Sequence, residues 1–303
     1  MKVTPLAADS MGARSMATHV ETSDVRILID PSVRLGPFRY ELPPHPTEET
    51  RRADLWTRIR EAAKRSDVLT VSHYHFDHHN PDAPSLYRGK VTYLKDGKFH
   101  INRSQRERAS AFVKALKRYP KEVHVADGHE TEFGKTNLAF SPAVPHGYND
   151  ELGYVVMVRI AEGRDVFVHT GDVLGPPLKE HLGFLLDANA TILYVDGPMT
   201  HMPENYPAEY TKKSLANLRR IVSSTDVRHL IVDHHLLRDR NWHVVVDSLR
   251  STCEDHGVKI ETAAEFAGQT VDALESRRYA LYGLSEPKGD ADEGGPASDE
   301  RKG

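Results

Sequence analysis

Positions 73 to 79 read His73-Tyr74-His75-Phe76-Asp77-His78-His79, which packs four imidazoles and one carboxylate into seven residues. Imidazole nitrogen and carboxylate oxygen are the donors that a borderline-soft divalent cation takes, and zinc sites that keep a position open for water are built from them. In an extended segment residues i and i+2 project to the same side, so His73 and His75 can hold one cation together. Asp77 and His78 fall on the turn that follows and can face a second cation. Two ions about 3.5 to 4 Å apart can share a hydroxide. The run follows Asp67-Val68-Leu69-Thr70-Val71, which reads as a buried strand delivering the cluster to its own end rather than as a polar low-complexity tract. The spacing therefore predicts half of a dinuclear metal site, and with it a hydrolase.

Two metals need about seven protein donors, so further ligands are expected at other strand ends. His146 follows Phe140-Ser141-Pro142-Ala143-Val144-Pro145 and precedes Gly147, a tight loop where the backbone can approach closely. Asp172 ends the run Val166 to Gly171, and a carboxylate there can bridge two cations and offset their repulsion. The pair His234-His235 ends Leu230-Ile231-Val232-Asp233. Adjacent residues on a strand point to opposite faces, so one of the two is expected as the last ligand. His234 is favoured, and His235 stays open because the loop can begin early.

These donors need a layered scaffold, and the chain alternates short strand and helix patterns. Strands are expected at 20–21 and 25–29, at 68–71, 123–126, 138–140, 154–160 and 166–169, and at 191–195 and 229–232, with a hairpin turn at 162–164. Helices are expected over 48–64, 104–118, 208–223, 244–256 and 272–282. The 104–118 helix carries an apolar stripe of Ala109, Phe112, Val113 and Leu116. Arg103, Arg106, Lys114, Lys117 and Arg118 fall on one flank beside it, a candidate phosphate-binding surface or a solvated face. The alternation argues for an α/β domain over residues 1–284. Residues 285–303, mixing Gly, Pro, Asp, Glu and Lys, read as a disordered tail.

With 39% hydrophobic and 28% charged residues and a formal net charge of -4, the 303-residue chain has no global pull on nucleic acid. The single cysteine, Cys253, cannot form an internal disulfide. Residues 1–6 lack the apolar core of a signal peptide and no stretch approaches the roughly 20 apolar residues that cross a bilayer. A cytoplasmic enzyme without a membrane partner is expected, of open oligomeric state.

In its His-x-His-x-Asp-His run, later His, later Asp and final His, the sequence resembles the metallo-beta-lactamase superfamily, over about residues 3–268. Within it the chain looks like an archaeal group of predicted metal-dependent hydrolases, some labelled RNases. The features behind this are Ala8-Asp9-Ser10-Met11-Gly12-Ala13-Arg14-Ser15, Leu28-Ile29-Asp30-Pro31 and Asp233-His234-His235-Leu236-Leu237-Arg238-Asp239. The resemblance implies a four-layer αββα sandwich with the site at one edge of the paired sheets. It implies His73, His75 and His146 on one metal, Asp77, His78 and one of His234 or His235 on the other, and Asp172 between them. About 60 positions separate Asp172 from His234, too few for the extra domain of the nucleic-acid-cleaving beta-CASP branch.

The implied cofactor is two zinc ions, with manganese or iron as alternatives. A hydroxide between the ions is the nucleophile, because coordination draws the pKa of water from 15.7 toward about 7. Asp77 then both ligates a metal and orients the nucleophile. The substrate is a phosphoester or RNA, or a small ester, lactone or thioester. Arg14, Arg238 and Arg240 are candidates to hold a phosphate through forked hydrogen bonds. His201 can donate a proton to the leaving group, although its setting reads more readily as an exposed loop, and His79 and His169 read as structural or as supports behind the ligands rather than as ligands. The alternative is an iron-dependent oxidoreductase on the same scaffold. The di-iron flavoprotein branch carries glutamate at the position of His75, which argues against it.

Overall fold

The computed structural model describes residues 1–285; residues 286–303, and with them almost all of the tail expected at 285–303, lie outside the described residues. Two sheets carry the architecture. The first has six strands in sequential order: β1 (Lys2–Pro5), β2 (Thr18–Glu21), β3 (Arg26–Ile29), β4 (Val68–Val71), β5 (Val91–Leu94) and β6 (Glu122–Val125). β1 to β3 are antiparallel neighbours, and β3 to β6 run parallel. Helices α1 (Pro46–Arg65) and α2 (Arg103–Leu116) make the crossovers that parallel neighbours require.

The second sheet draws on β7 (Glu130–Phe133), β8 (Thr136–Phe140), β11 (Val158–Glu162), β12 (Asp165–His169), β13 (Ile192–Val195), β14 (His229–Val232) and β15 (Lys259–Glu261), in the order β15-β14-β13-β12-β11-β8-β7. β12 to β15 are parallel and β7, β8, β11 and β12 antiparallel. α3 (Lys179–Ala188), α4 (Ala208–Ser224) and α5 (Trp242–Asp255) connect the parallel strands. A two-stranded pair, β9 (Val144–Pro145) with β10 (Tyr154–Val155), falls in sequence between β8 and β11 of the second sheet.

Strand alternation fixes the layers. On β12, β13 and β14 the side chains of Phe167, Tyr194 and Ile231 share one core with Ile27, Leu28, Val68 and Leu69 of the first sheet. Their neighbours Val168, Leu193, Leu230 and Val232 pack instead with Leu185 of α3, Leu218 and Ile221 of α4 and Leu249 of α5. One face of the second sheet thus meets the first sheet and the other meets helices, as the period of two demands. Leu55 and Ile59 of α1 and Phe112 of α2 cover the first sheet. The fold is the expected αββα sandwich of a mixed α/β protein. Among the described residues no helix is long and apolar enough to cross a membrane.

Several expected elements differ. The strand expected over 154–160 is two strands, because Val156 N turns to the Ser72 carbonyl and Met157 N to Ser141 Oγ, which ends one ladder before the next begins. The helix expected over 272–282 is a 3-10 turn at Glu275–Arg277 followed by Arg278–Leu281. Here Arg278 is buried and donates to Glu48, Gly36 O and Leu42 O, and this tertiary clamp overrides the helical pattern. Val113, expected in the apolar stripe of α2, is 46% exposed. α3, β1, β5, β7 and β15 were not expected. α3 has Gly183 at its centre, which weakens a helical signal, and β7 is short and polar.

Candidate metal centre

Each chemical side chain sits where a buried strand runs out. All four residues of β4 are buried, and the chain beyond it carries His73 and His75 toward one point while Tyr74, between them, turns away to donate from its hydroxyl to Lys95 O at 2.5 Å. A turn closed by His78 N and His79 N on His75 O then brings Asp77 and His78 round to the same side. His146 follows β9, with its N–H on Gly153 O, and Gly147 has φ +94°. A Cβ on Gly147 would stand 2.6 Å from Leu174 Cδ1, so the close approach expected of this loop is real. Asp172 follows β12 after Gly171, and His234 and His235 follow β14.

Asp172 is the hub. Its Oδ2 lies 3.4 Å from His73 Nε2 and 3.3 Å from His146 Nε2. Its Oδ1 lies 3.1 Å from His78 Nε2 and 3.4 Å from His234 Nε2. His75 completes the first group, its ring 4.7 Å from that of His73 and 4.8 Å from that of His146, centre to centre. Asp77 completes the second, with Oδ2 3.6 Å from His234 Nε2 and Oδ1 3.9 Å from His78 Nε2. Two groups able to hold a metal ion therefore meet at one carboxylate: His73, His75, His146 and Asp172, and Asp77, His78 and His234. Donors held tetrahedrally at about 2.1 Å from one cation stand roughly 3.4 Å apart, which is the spacing seen here.

A family model described as a beta-lactamase superfamily domain matches residues 15–213, the stretch that carries the run at 73–79, His146 and Asp172. The chain belongs to the metallo-beta-lactamase superfamily. It is 45% identical over 287 residues to a UPF0282 protein of the archaeon Korarchaeum cryptofilum, covering 94% of this chain and 95% of that one. In fold it is similar to the metallo-beta-lactamase fold protein YhfI of Bacillus subtilis, with a TM-score of 0.53 at 14% identity over 86% of this chain and 94% of that one. CmlA, a diiron beta-hydroxylase of Streptomyces venezuelae, gives a TM-score of 0.51 at 11% identity over 81% of this chain and 51% of that one.

Beyond the superfamily's motif residues, this chain supplies carboxylates that aim the imidazoles. Asp30, after β3, accepts from His78 Nδ1 at 2.8 Å, Ser72 N at 2.7 Å and Ser72 Oγ at 2.5 Å. Asp9 contacts His234 Nδ1 at 2.7 Å and accepts from Arg238 Nε at 3.1 Å. Asp196, after β13, meets His235 Nδ1 at 3.1 Å. A partner on Nδ1 leaves Nε2 facing the centre and raises its basicity, the arrangement found behind metal-bound histidines. Asp9 and Asp30 stand in the segments 8–15 and 28–31 that carry the resemblance, and Asp196 is not among the expected site residues. Asp30 and Asp196 carried the signal used for Asp172, an acid just past a strand, whereas Asp9 opens a 3-10 turn.

The electrostatics divide the donors, lowering His73, His75 and His235 and, through the carboxylates beside them, raising His78 and His234. Burial opposes ionisation of Asp172, yet His78, His234 and His235 around it hold its carboxyl well below the usual range. Asp77 behaves likewise, through His78 and His234. Burial pushes His73 down to about 4, with His78 adding to it, and pushes His75 and His235 well below the ordinary value. These imidazoles are neutral near pH 7 and keep a lone pair to give. His234 is raised to about 9, because Asp172 and Asp9 outweigh its burial. Among the described residues, His73 Nε2 and both ring nitrogens of His146 are buried without a hydrogen bond. This donor set suits the metal-dependent chemistry typical of the fold.

The remaining expectations divide. His235 enters the site as well as His234, its Nε2 3.8 Å from Asp172 Oδ2, which corrects the expectation that only one of the pair can. The reason is that His234 has φ +50°, so the strand has already ended and side-chain alternation no longer applies. His79 packs on Phe112 and bonds His75 O, and His169 spans Met16 O and Gly171 N, both structural as expected. His201 is 3% exposed, not on an open loop, and burial beside Arg39 and Arg238 lowers its pKa well below the ordinary value. Arg14 makes a forked pair with Glu275 at 2.7 and 2.6 Å, and Arg238 is buried between Asp9, Asp77 and His234. The basic flank of α2 stays on the surface, and Arg108 of that helix reaches the cleft instead.

Proposed function

We propose that this chain is a hydrolase with a dinuclear metal centre, zinc being the metal its nitrogen-rich donors suit best. His73, His75 and His146 would hold one ion, Asp77, His78 and His234 the other, and Asp172 would bridge. The observation that carries this reading is the sorting of Asp172's two oxygens, Oδ2 to His73 and His146 and Oδ1 to His78 and His234. Such a pair of ions supplies an acidified water as nucleophile and polarises the bond to be cleaved.

The chain's own residues do the rest. Asp77, 15% exposed at its side chain and the more exposed of the two donor-set carboxylates lining the cleft, would accept a hydrogen bond from the attacking water and fix its direction. Arg238 Nη2, 3.4 Å from Asp77 Oδ2, steadies that carboxylate. Asp30 and Asp9 hold His78 and His234 in orientation. Two clefts reach the centre, one of about 470 Å³ at His75, Asp77 and Asp172 and one of about 620 Å³ at His146, and each has the size of a metabolite site. A small ester, lactone, thioester or phosphoester therefore fits better than RNA. The core shared by the two sheets supports reading residues 1–284 as one domain.

The test is to load the purified protein with zinc, count its metals by elemental analysis, and screen an aryl phosphodiester, a lactone, a thioester and a structured RNA. Two equivalents of metal and turnover of a small ester are expected. Less than one equivalent, or no turnover of any of the four, rejects the reading, and iron retained in place of zinc turns it toward the oxidoreductase alternative.

A further inference from the structure

The larger of the two clefts reaches the centre through His146, which belongs both to the first metal group and to the cleft wall. Its other lining is largely apolar. Tyr148 and Leu152 come from the loop that follows His146, Met199 and Met202 from the loop after β13, and Leu174 from the turn after β12. With Tyr206 and Tyr210 these side chains form a cluster of their own, apart from the two larger cores. The charged residues of the wall, Arg103, Glu151 and Glu204, are all exposed, which places them at the rim.

Hydrogen bonds to carbonyl groups hold the walls. Gln105 Nε2 donates to Leu152 O at 2.7 Å and Asn102 Nδ2 to Glu151 O at 2.9 Å, which ties the first loop to α2. Tyr148 donates to Asn205 O at 3.3 Å and stacks on Tyr210 of α4 with centroids 4.5 Å apart, which ties the same loop to the second. Tyr206 in turn donates to Leu174 O at 2.6 Å. The cleft of about 620 Å³ is therefore built before a ligand arrives, and a preformed site loses little in ordering.

Tyr148, Leu152 and Met202 remain half-buried around this hollow. Apolar surface left against water and rimmed by polar groups marks a ligand groove rather than a core. Flexible thioethers and tyrosine rings suit a chain or a flat ring, whereas a charged group placed among them would shed its water without gaining a partner. We propose that this cleft takes the apolar portion of the substrate, a short alkyl chain or an aryl ring next to the bond to be cleaved. The substrate class is then a small apolar ester, lactone or thioester. This rests on the hydrolase reading for the reaction, but binding is measurable without turnover, so the two can fail separately.

The metal-loaded protein, labelled with carbon-13 at its methionine methyls, is titrated with the neutral amides acetamide, butanamide and hexanamide, and separately with adenosine. The methyl resonances locate the ligand, because Met199 and Met202 line the cleft whereas Met11, Met16 and Met157 are packed in the two larger cores. Hexanamide should shift Met199 and Met202, and affinity should rise roughly threefold for each methylene along the series. Met202→Gln and Leu152→Gln should weaken hexanamide about five- to tenfold, with Met202→Leu within about twofold of the parent. Should either glutamine variant not fold, the other decides. Hexanamide bound no more tightly than acetamide, shifts confined to the other methionines, or glutamine variants equal to the parent overturns the proposal. Adenosine bound more tightly than hexanamide overturns it in favour of a nucleobase. If esters are cleaved, kcat/KM for p-nitrophenyl acetate, butanoate and hexanoate should climb in the same order. Chain-length-dependent binding with no turnover of those esters would reject the hydrolase reading and leave the cleft assignment standing.

Discussion

Asp172 is the residue on which both candidate metal groups depend, so its substitution separates chemistry from fold. Asp172→Asn keeps the shape and removes the charge that faces His73, His78, His146 and His234. Turnover should fall by roughly two orders of magnitude or more with an unchanged circular dichroism spectrum, and parent-like activity would remove Asp172 from the centre. Asp30→Asn tests the layer behind it. Metal affinity measured by competition with a chelator should weaken about 10- to 100-fold, because His78 loses the carboxylate on its Nδ1. At this scale the clustering was legible, since a run with period-two spacing after an apolar strand brings His73 and His75 to the same point. His235 was legible only as an alternative to His234, because the left-handed turn at His234 that lets both rings enter has no signature in a pair of histidines. The roles of Asp9, Asp30 and Asp196 were hidden for a different reason: each contacts a histidine far away in sequence, so its position past a strand or in a loop does not show what it touches.

Elements position these residues through a few close contacts. Gly147 presents His146 from a loop with positive φ, packed under Leu174. Gly147→Ala should cost about 2 to 4 kcal/mol in denaturant unfolding, from backbone strain plus overpacking, and should lower bound metal by displacing His146. The C-terminal segment contributes a second contact, in which Glu275 pairs with Arg14 across the cleft wall. Burial would raise the Glu275 pKa, but Arg14 and Arg238 hold it far below the ordinary range. The folded state thus binds its proton more weakly than the unfolded chain, whose Glu titrates near about 4.3. The pair's stabilisation is complete above that pH and is lost as pH falls below it. Thermal melts of Glu275→Gln should show a lower midpoint at pH 7 and a smaller further drop between pH 5 and pH 3 than the parent; parallel curves would refute the coupling. Sequence periodicity caught the long amphipathic helices α1, α2, α4 and α5. It misread residues 272–282, where Arg278 reaching Glu48 and two carbonyls decides the backbone.

At the scale of the whole molecule the candidate centre lies where the two sheets meet. His73 to His78 leave β4 of the first sheet, whereas Asp172 and His234 leave β12 and β14 of the second. The order of motifs along the chain made this legible, because each fell at a strand end; which faces the two sheets share was visible only in the packing of Phe167, Tyr194 and Ile231 against Ile27 and Leu28. Ions held by donors from both sheets would bind the folded state and not the unfolded chain, and so would tie the halves together by mass action. At a free metal concentration a hundredfold above Kd, one such site adds about 2.7 kcal/mol, which for a chain of this length raises the melting temperature by roughly 5 °C. Zinc titrated into chelator-treated protein should give that shift in a thermal melt. Asp172→Asn should blunt it while Arg34→Gln leaves it whole, since Arg34 lines the cleft without belonging to either donor group. A melting temperature indifferent to zinc would mean that the histidines of the two sheets do not share a cation.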